Sequence, residues 1–395
     1  MRPLTAWAEG DATPALIPAG TAFAPEDLIF YAHPESRSLE QALAEADLIV
    51  TCPHSGSAAP EEVARHLVPE YTRRLQFDYT DLSTAPIVRR WAQIDPRVIY
   101  VENPHPRLVR DPNRAKPEDV KATLREAFER VREAGPLQRV DLTGVDAIRP
   151  VTFSFYPLFK EPATDEAWES LLRDFEAAGE LGVDVYEDTR RALLRRWFTV
   201  HQGRGTGTPL TALSFHDTMN TTTRPDGAVV VERAETDRLP NVVSLSNRGD
   251  AEGNPRPDAA PFDSVTMDPE RLRSLAGAFR SAFTEGFGAA PEDVSLNQPY
   301  LGSQEIIEAR DTVGIGRRTR EAGPLIDAVQ AEFLREFLMG EAAVEALHSP
   351  GGTWPSTDEQ RVDAIAQACK AAWDTYRATL AGQPAAHTTQ HDGAW

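Results

Sequence analysis

Two histidines stand directly after predicted strands. His54 follows the apolar run 48–52 in the loop Pro53-His54-Ser55-Gly56, and His216 follows the run 211–215. A side chain in either position can project into a cleft as a metal ligand or a base, although a turn histidine bonded to the backbone is the alternative for each. Two such histidines on one sheet favour a shared site. Histidine pairs are typical of zinc, completed by a carboxylate and an open water position.

The nearest candidate carboxylates are Asp78 and Asp81, in the short segment 77–82. The alternative for an aspartate in a polar turn is a helix cap or a solvated charge. No H-E-x-x-H sequence is present, which excludes a thermolysin-type zinc site.

Two further groups could take part in chemistry. Segment 107–114 contains three arginines, an asparagine and an aspartate, and guanidinium groups bind carboxylates through paired hydrogen bonds. A solvated, ion-paired loop is the alternative. Glu332 lies among apolar residues, where burial would raise its pKa into the range that a general acid or base requires. A buried structural ion pair would explain Glu332 equally well.

The elements that position these residues follow from hydrophobic periodicity. Helices are predicted at 60–67, 117–131, 164–178, 184–200 and 269–283, and strands at 48–52, 97–101, 211–215 and 241–245. Segment 325–338 fits either a helix or a short strand that leads into a helix. Alternating strands and helices predict an α/β fold, with a mostly parallel mixed sheet and helices on both faces. Ligands bind beyond the carboxyl ends of such strands.

The remaining segments define the predicted domain organisation. Residues 1–45 are expected to be an irregular lead-in with at most a short helix, 46–380 a single α/β domain, and 381–395 a polar tail. Segments 218–227 and 247–262 are rich in Gly, Pro and Asn and predict long surface loops.

The amino-acid composition restricts the classes of partner that the protein can bind. Hydrophobic residues make up 41% of the 395 residues, and no apolar run approaches the roughly 20 residues that cross a bilayer. The N-terminal residues contain no apolar signal segment, so we expect a cytoplasmic protein without a membrane partner. Cys52 and Cys369 are too few for a disulfide framework or a thiolate metal site. The formal charge of −20 argues against a nucleic-acid partner, whose phosphates would be repelled. It does not argue against a small anion, because a few arginines can reverse the local field.

Taken in order, five motifs over roughly residues 45–341 resemble the N-formylglutamate amidohydrolase family. The family's R-x-x-x-D-x-N-R signature is met at every fixed position. The motifs are the PHxG loop at 53–56, the signature at Arg107, Asp111, Asn113 and Arg114, the Thr-Phe stretch 152–159, the Asn-Gly loop 297–302, and Gln330-Ala331-Glu332 before Phe337-Leu338-Met339. The family's fold is similar to that of metallocarboxypeptidases and aspartoacylase-type deacylases.

The resemblance implies a zinc-bound water that attacks an amide carbonyl, and it implies a role for each matching residue. Zinc would be held by His54, His216 and a carboxylate, with Asp81 first, Asp78 second and Glu61 or Glu62 as further alternatives. Glu332 would transfer protons, Arg107 would polarise the carbonyl, Asn113 and Arg114 would bind the substrate carboxylate, and Ser55 and Asn297 would also contact substrate.

The sequence departs from the family pattern around its second histidine. The family has D-x-H-S, whereas residues 214–217 read Ser-Phe-His-Asp. Either the aspartate has moved to position 217, or His216 lacks a carboxylate partner.

We therefore expect a hydrolase that cleaves the amide bond of a small anionic N-acyl amino acid similar to N-formylglutamate. The first alternative is the same chemistry on a peptide or cell-wall amide. The second is a non-catalytic relative that binds a metabolite or a partner protein. The sequence does not define the oligomeric state.

Overall fold

The computed structural model describes residues 11–202, 209–257, 259–260, 264–319 and 326–382. In these ranges the strands are β1 (Leu16–Ile17), β2 (Ile29–Tyr31), β3 (Leu48–Cys52), β4 (Ala59–Pro60), β5 (Val98–Glu102), β6 (Leu210–Thr218), β7 (Thr221–Thr223), β8 (Val229–Glu232), β9 (Val243–Ser246), β10 (Val294–Leu296) and β11 (Ile326–Leu334). The helices are α1 (Pro25–Leu28), α2 (Leu39–Glu45), α3 (Glu61–Ala64), α4 (Arg73–Asp78), α5 (Thr84–Ile94), α6 (Val120–Ala134), α7 (Asp165–Leu181), α8 (Val183–His201), α9 (Pro269–Phe287), α10 (Gln304–Thr319), α11 (Arg335–Met339), α12 (Glu341–His348) and α13 (Glu359–Gly382).

The central sheet has seven strands in the described part of the chain, in the order β10-β9-β11-β6-β3-β5-β2. Most neighbouring strands are parallel, and only the β9–β11 and β2–β5 pairs are antiparallel. The predicted mostly parallel α/β fold is therefore confirmed. The likeness to metallocarboxypeptidases stays a prediction.

Helices cover both faces of the sheet because successive side chains of a strand point to opposite sides. On one face, Leu48, Val50 and Cys52 of β3 belong to a buried cluster with residues of α5, α9 and α13. On the other face, Ile49 packs in a cluster with residues of α2, α8 and α10. This burial explains why the strands are apolar at nearly every position. None of the helices in the described ranges has the length and apolar character needed to cross a membrane.

Strand β6 is longer than the sequence predicted. It was expected to end before His216, but it continues to Thr218 and pairs along its whole length with β11, in parallel. Backbone hydrogen bonds to β11 extend β6 through its polar end. The amino-acid composition of this end does not indicate a strand. Of the two possibilities for 325–338, the strand that leads into a helix is confirmed as β11 and α11.

Two predicted irregular segments contain regular structure. The lead-in includes α1, α2 and β2, and β2 pairs with β5 at the edge of the central sheet. In segment 218–227, Thr221–Thr223 forms one strand of the β7–β8 hairpin. Strands β2 and β7 have three residues each, which is too short for hydrophobic periodicity to predict them. Backbone pairing with a neighbouring strand stabilises both. The predicted domain boundaries stay predictions, and residues 383–395 of the predicted tail lie outside the described residues.

Candidate metal centre

His54 is buried in the loop that follows β3, and its ring is fixed by a carboxylate. His54 Nε2 lies 2.7 Å from Asp111 Oδ1. Because an ionised carboxylate can only accept, the ring hydrogen belongs on Nε2, which leaves the lone pair on Nδ1. His54 Nδ1 has no hydrogen-bond partner among the described residues and lies 3.3 Å from Asp81 Oδ2.

His216, like His54, turns its Nδ1 atom toward Asp81 Oδ2. Its Nδ1 lies 3.0 Å from Asp81 Oδ2, and its Nε2 lies 2.9 Å from Ser214 Oγ. The ring centroids of the two histidines are 5.0 Å apart. Strands β3 and β6 are adjacent and parallel, so their carboxyl ends bring the two histidines together.

Asp81 lies in the turn between α4 and α5 and is held by its backbone. Its N–H donates to His54 O at 3.0 Å, and its carbonyl accepts from Thr84 Oγ1 at 2.7 Å. Burial alone would raise the pKa of this carboxyl, but the charge of His54 and the hydrogen bond from His216 outweigh it and lower the pKa. Asp81 is therefore a carboxylate placed between two imidazole rings.

These three side chains could hold a metal ion. The ligand atoms of His54, Asp81 and His216 all lie within 4.8 Å of one another, and all three residues are buried. His54 Nδ1 faces Asp81 and has no hydrogen-bond partner among the described residues, as expected of a nitrogen that binds a metal ion. The nitrogen and carboxylate donors are of the kind that catalytic zinc sites use. Asp78, the second choice for the carboxylate, is a half-buried residue of the cavity wall but does not belong to this group. The outlying alternatives, Glu61 and Glu62, accept instead from Ala19 N and Gly20 N.

The group lies in the wall of a cavity of about 440 Å³. Four predicted site residues besides Asp78 line the same cavity with Asp81 and the two histidines, and they are Asn113, Arg107, Arg114 and Glu332. Phe153 of the Thr-Phe stretch also lines the cavity. Cavity residues that the sequence analysis did not select include Arg233 and Asp237 from the β8–β9 connection and Ser303 from the β10–α10 connection.

Glu332 lies beside the histidines on β11. It is the register partner of His216, its Oε1 accepts from Thr218 Oγ1 at 2.6 Å, and its Oε2 accepts from Gln330 Nε2 at 2.8 Å. Burial raises its pKa, and the nearby charge of Asp81 raises it further, against the opposing charge of His216. Among the described residues Glu332 forms no ion pair, so the structural ion pair considered as an alternative is not seen there.

The arginine motif contributes two cations to the cavity. Arg107 Nη2 donates to Asp111 Oδ2 at 2.8 Å, and its guanidinium lies over the Phe153 ring at 4.7 Å from the ring centre. Arg114 is anchored by its Nε to Asp146 Oδ2 at 2.5 Å, with 41% of its side chain exposed. The aspartate of the motif, Asp111, thus links His54 to Arg107, a contact that the motif alone does not reveal.

Asn113 lies between His216 and Arg114, and Arg114 Nη1 donates to its carbonyl oxygen at 3.2 Å. Its backbone N–H donates to Asp111 Oδ1 at 2.8 Å, and its Nδ2 lies 3.4 Å from His216 Nε2. Asn113 Oδ1 has no hydrogen-bond partner among the described residues.

Two predicted substrate residues are not brought into the cavity wall. The Ser55 hydroxyl donates to Cys52 O at 2.8 Å and so closes the turn after β3. The Asn297 side chain donates to Asn247 Oδ1 and Asp250 O and accepts from Asn247 N, which fully uses its amide. Its loop still supplies Pro299–Ser303 to the cavity.

Asp217 is not the missing partner of His216. Its carboxylate accepts from Arg335 Nε and from Ser83 N. Arg335 also donates to the carbonyls of Phe77 and Asp78, each at 3.1 Å. The ion pair therefore ties the end of β6 to the turn that carries Asp81.

Residues 46–178 match the family model described as N-formylglutamate amidohydrolase. The predicted resemblance to that family is confirmed over these residues. The matched range contains His54, Asp81 and the R-x-x-x-D-x-N-R motif of the N-formylglutamate amidohydrolase family, whereas His216 and Glu332 lie beyond it.

A solved structure of an N-formylglutamate amidohydrolase from Ralstonia eutropha JMP134 is similar to this chain, at 18% identity and a TM-score of 0.46. The alignment covers 89% of this chain and 98% of that one. A comparison with curated proteins gave no match.

Proposed function

We propose that the protein is a zinc-dependent amidohydrolase that cleaves N-acyl amino acids similar to N-formylglutamate. The observation that carries the proposal is the convergence of His54 Nδ1, His216 Nδ1 and Asp81 Oδ2 in a cavity that also contains arginines and a buried glutamate. The family match over residues 46–178 supports the reaction class.

The residues of this chain divide the work of amide hydrolysis. A zinc ion held by His54, Asp81 and His216 would supply a water of lowered pKa and a Lewis acid for the carbonyl oxygen. Glu332 takes a proton at a carboxylate oxygen and returns it to the leaving amine, a role that its raised pKa suits. The partly buried Arg107 guanidinium stabilises the developing oxyanion, an effect worth roughly 3 kcal/mol for a well-placed donor.

Substrate orientation falls to Asn113 and Arg114. The Asn113 amide and the outer guanidinium nitrogens of Arg114 offer donors to a carboxylate, and Asp146 fixes the Arg114 side chain. Binding the α-carboxylate there would set the distance between the scissile amide and Glu332.

The first test is metal content followed by turnover. We expect the purified protein to bind about one zinc ion per chain, as a three-ligand catalytic site does, and to release formate from N-formyl-L-glutamate. Chelation should abolish turnover and added zinc should restore it. A wild-type protein that binds no divalent metal would refute the proposal.

A substrate panel separates the alternatives. Cleavage of peptide or cell-wall amides in preference to N-acyl amino acids would support the same chemistry on another bond. Stoichiometric metal without turnover of any amide in the panel would support a non-catalytic relative.

A further inference from the structure

The nitrogen of His216 that faces away from Asp81 is hydrogen-bonded to a serine on the same strand. Ser214 precedes His216 by two residues on β6, so the two side chains share a face of the sheet. His216 Nε2 lies 2.9 Å from Ser214 Oγ. Asn113 Nδ2 lies 3.4 Å from the same nitrogen.

Ser214 in turn contacts a buried carboxylate on another element. Ser214 Oγ donates to Glu305 Oε2 at 3.1 Å. Glu305 is the second residue of α10 and is 2% exposed. The chain therefore places a carboxylate one hydroxyl group away from His216.

Glu305 is held from three sides. Thr51 Oγ1 donates to its Oε2 at 2.8 Å, Tyr186 OH donates to its Oε1 at 2.7 Å, and Arg190 Nε lies 3.3 Å from Oε1. The guanidinium provides the opposite charge that a buried carboxylate needs. These contacts come from β3 and α8, so together with Ser214 of β6 three elements fix the position of the Glu305 carboxylate.

The direction of each hydrogen follows from what the groups can donate. A carboxylate only accepts, so the single hydroxyl hydrogen of Ser214 points to Glu305. The lone pairs of Ser214 Oγ then face His216 Nε2. Because this hydroxyl lies at 2.9 Å and the Asn113 amide only at 3.4 Å, Ser214 is the group that fixes the ring hydrogen on Nε2. On metal binding, His216 Nδ1 loses the hydrogen that it donates to Asp81 in the metal-free protein, and its lone pair then faces the position of the ion.

We propose that Glu305, acting through Ser214, is the positioning group of His216: it fixes the Nε2–H tautomer and turns Nδ1 toward the metal. This inference rests on the proposed metal site and adds to it. Asp111 positions His54 in the same way, through a direct hydrogen bond to its Nε2. Neither Glu305 nor Ser214 is among the residues that line the cavity, so they act only through the histidine.

The zinc affinity of the full chain tests the proposal. It is measured by competition for zinc between the protein and a chromogenic chelator. Partners that orient a ligating histidine contribute about 10–100-fold in affinity, and we expect Ser214→Ala and Glu305→Gln to lose an amount in that range. Ser214→Ala leaves Glu305 with its other partners, so it uncovers no buried charge. With cobalt in place of zinc, both variants should also change the visible absorption spectrum, which reports ligand geometry.

Matched controls come from the neighbours of Glu305. Thr51→Val removes another hydroxyl from the same Glu305 oxygen, and Glu308→Gln removes another partner of Arg190, yet neither contacts His216 in the described structure. We expect both controls to keep wild-type metal affinity even where thermal stability falls.

A rescue distinguishes positioning from packing. In the Glu305→Gln background, Ser214→Asp places a carboxylate directly against His216 Nε2 and should restore most of the lost affinity. Wild-type zinc affinity in both Ser214→Ala and Glu305→Gln would overturn the inference while leaving the metal site intact. Equal affinity losses in the controls would also overturn it. A wild-type protein without metal would overturn the proposed function together with it.

Discussion

Glu332 and His216 are register partners on the adjacent parallel strands β11 and β6. In-register residues of parallel strands project from the same face of a sheet, so the glutamate lies beside the histidine without any loop between them. Both oxygens of Glu332 also accept hydrogen bonds, from Thr218 and Gln330. These contacts hold the Glu332 carboxylate at a fixed distance from the group formed by His54, Asp81 and His216.

Glu332→Gln tests the proton-transfer role. The substitution keeps the shape of the side chain but removes the proton acceptor, so metal should stay bound while turnover falls roughly 10²–10⁴-fold. Thr218→Val is the matched control, because it removes one hydrogen bond to Glu332 and leaves the carboxylate. Near wild-type turnover in Glu332→Gln would show that another group is the base.

The two histidines should each be required for metal. His54→Ala and His216→Ala are expected to abolish zinc binding with the fold retained, since each removes one of three ligands. Metal analysis and circular dichroism on the same samples check both points. Full metal occupancy in His216→Ala would contradict the assignment.

The carboxylate ligand can be decided by a pair of variants. Asp81→Asn should lose zinc, because its Oδ2 lies 3.3 and 3.0 Å from the Nδ1 atoms of His54 and His216. Asp78→Asn should keep zinc, because Asp78 lies three residues earlier at the end of α4. Zinc loss in Asp78→Asn with retention in Asp81→Asn would reverse the choice.

Arg114 should determine whether the substrate needs an α-carboxylate. We expect Arg114→Ala to raise KM for N-formylglutamate and barely to affect the analogue whose α-carboxylate is esterified. Asp146→Asn is the control, because it removes the anchor of Arg114 and leaves its charge. Equal losses on both substrates would mean that Arg114 is structural.

The metal-free protein should become less stable as pH rises above 6.5. Burial and Arg107 lower the pKa of His54, but Asp111 and Asp81 outweigh them and raise it above its ordinary 6.5. Above pH 6.5 the folded state therefore binds more protons than the unfolded chain, so the free energy of unfolding falls until the folded pKa is passed. The full stabilisation is present only below pH 6.5.

Thermal unfolding in chelator at pH values of about 6 and 8 measures this effect, because the window lies where histidine titrates. His54→Gln should flatten the trend, and excess zinc should reverse it, because the metal binds deprotonated rings. A Tm of the wild-type apoprotein that rises over this interval would contradict the assignment of a raised pKa to His54.

The sequence was sufficient to predict which two histidines and which aspartate converge in the structure, but not the groups that contact them. His54 and His216 could be paired because apolar strands of an α/β sheet end at a common edge, and β3 was predicted to the residue. No sequence pattern linked Glu305 to the histidines, because it lies on α10, far along the chain from both of them. Its role depends on a hydroxyl relay that only the packed structure reveals.

Short and polar elements escaped prediction for a different reason. Strand β2 has three residues and the β7 strand consists of threonines, so neither shows an alternating apolar pattern. Ser55 and Asn297 were selected as motif positions, but their side chains satisfy nearby backbone groups. A motif identifies the loop, and the local hydrogen bonds decide which of its side chains turn inward.

The placement of β6 between β3 and β11 also sets the order in which the centre can form during synthesis. The ribosome releases His54, Asp81 and Asp111 early, but the pocket for an ion stays incomplete until β6 has been made and has paired with β3. Asp217 can then bond directly to Ser83 N in the turn that carries Asp81, and the second link, through Arg335, forms later still. Such long-range closure slows folding. A nascent chain truncated before β6 should therefore acquire no zinc, and in the complete chain zinc should add its binding energy only to the last stage of assembly.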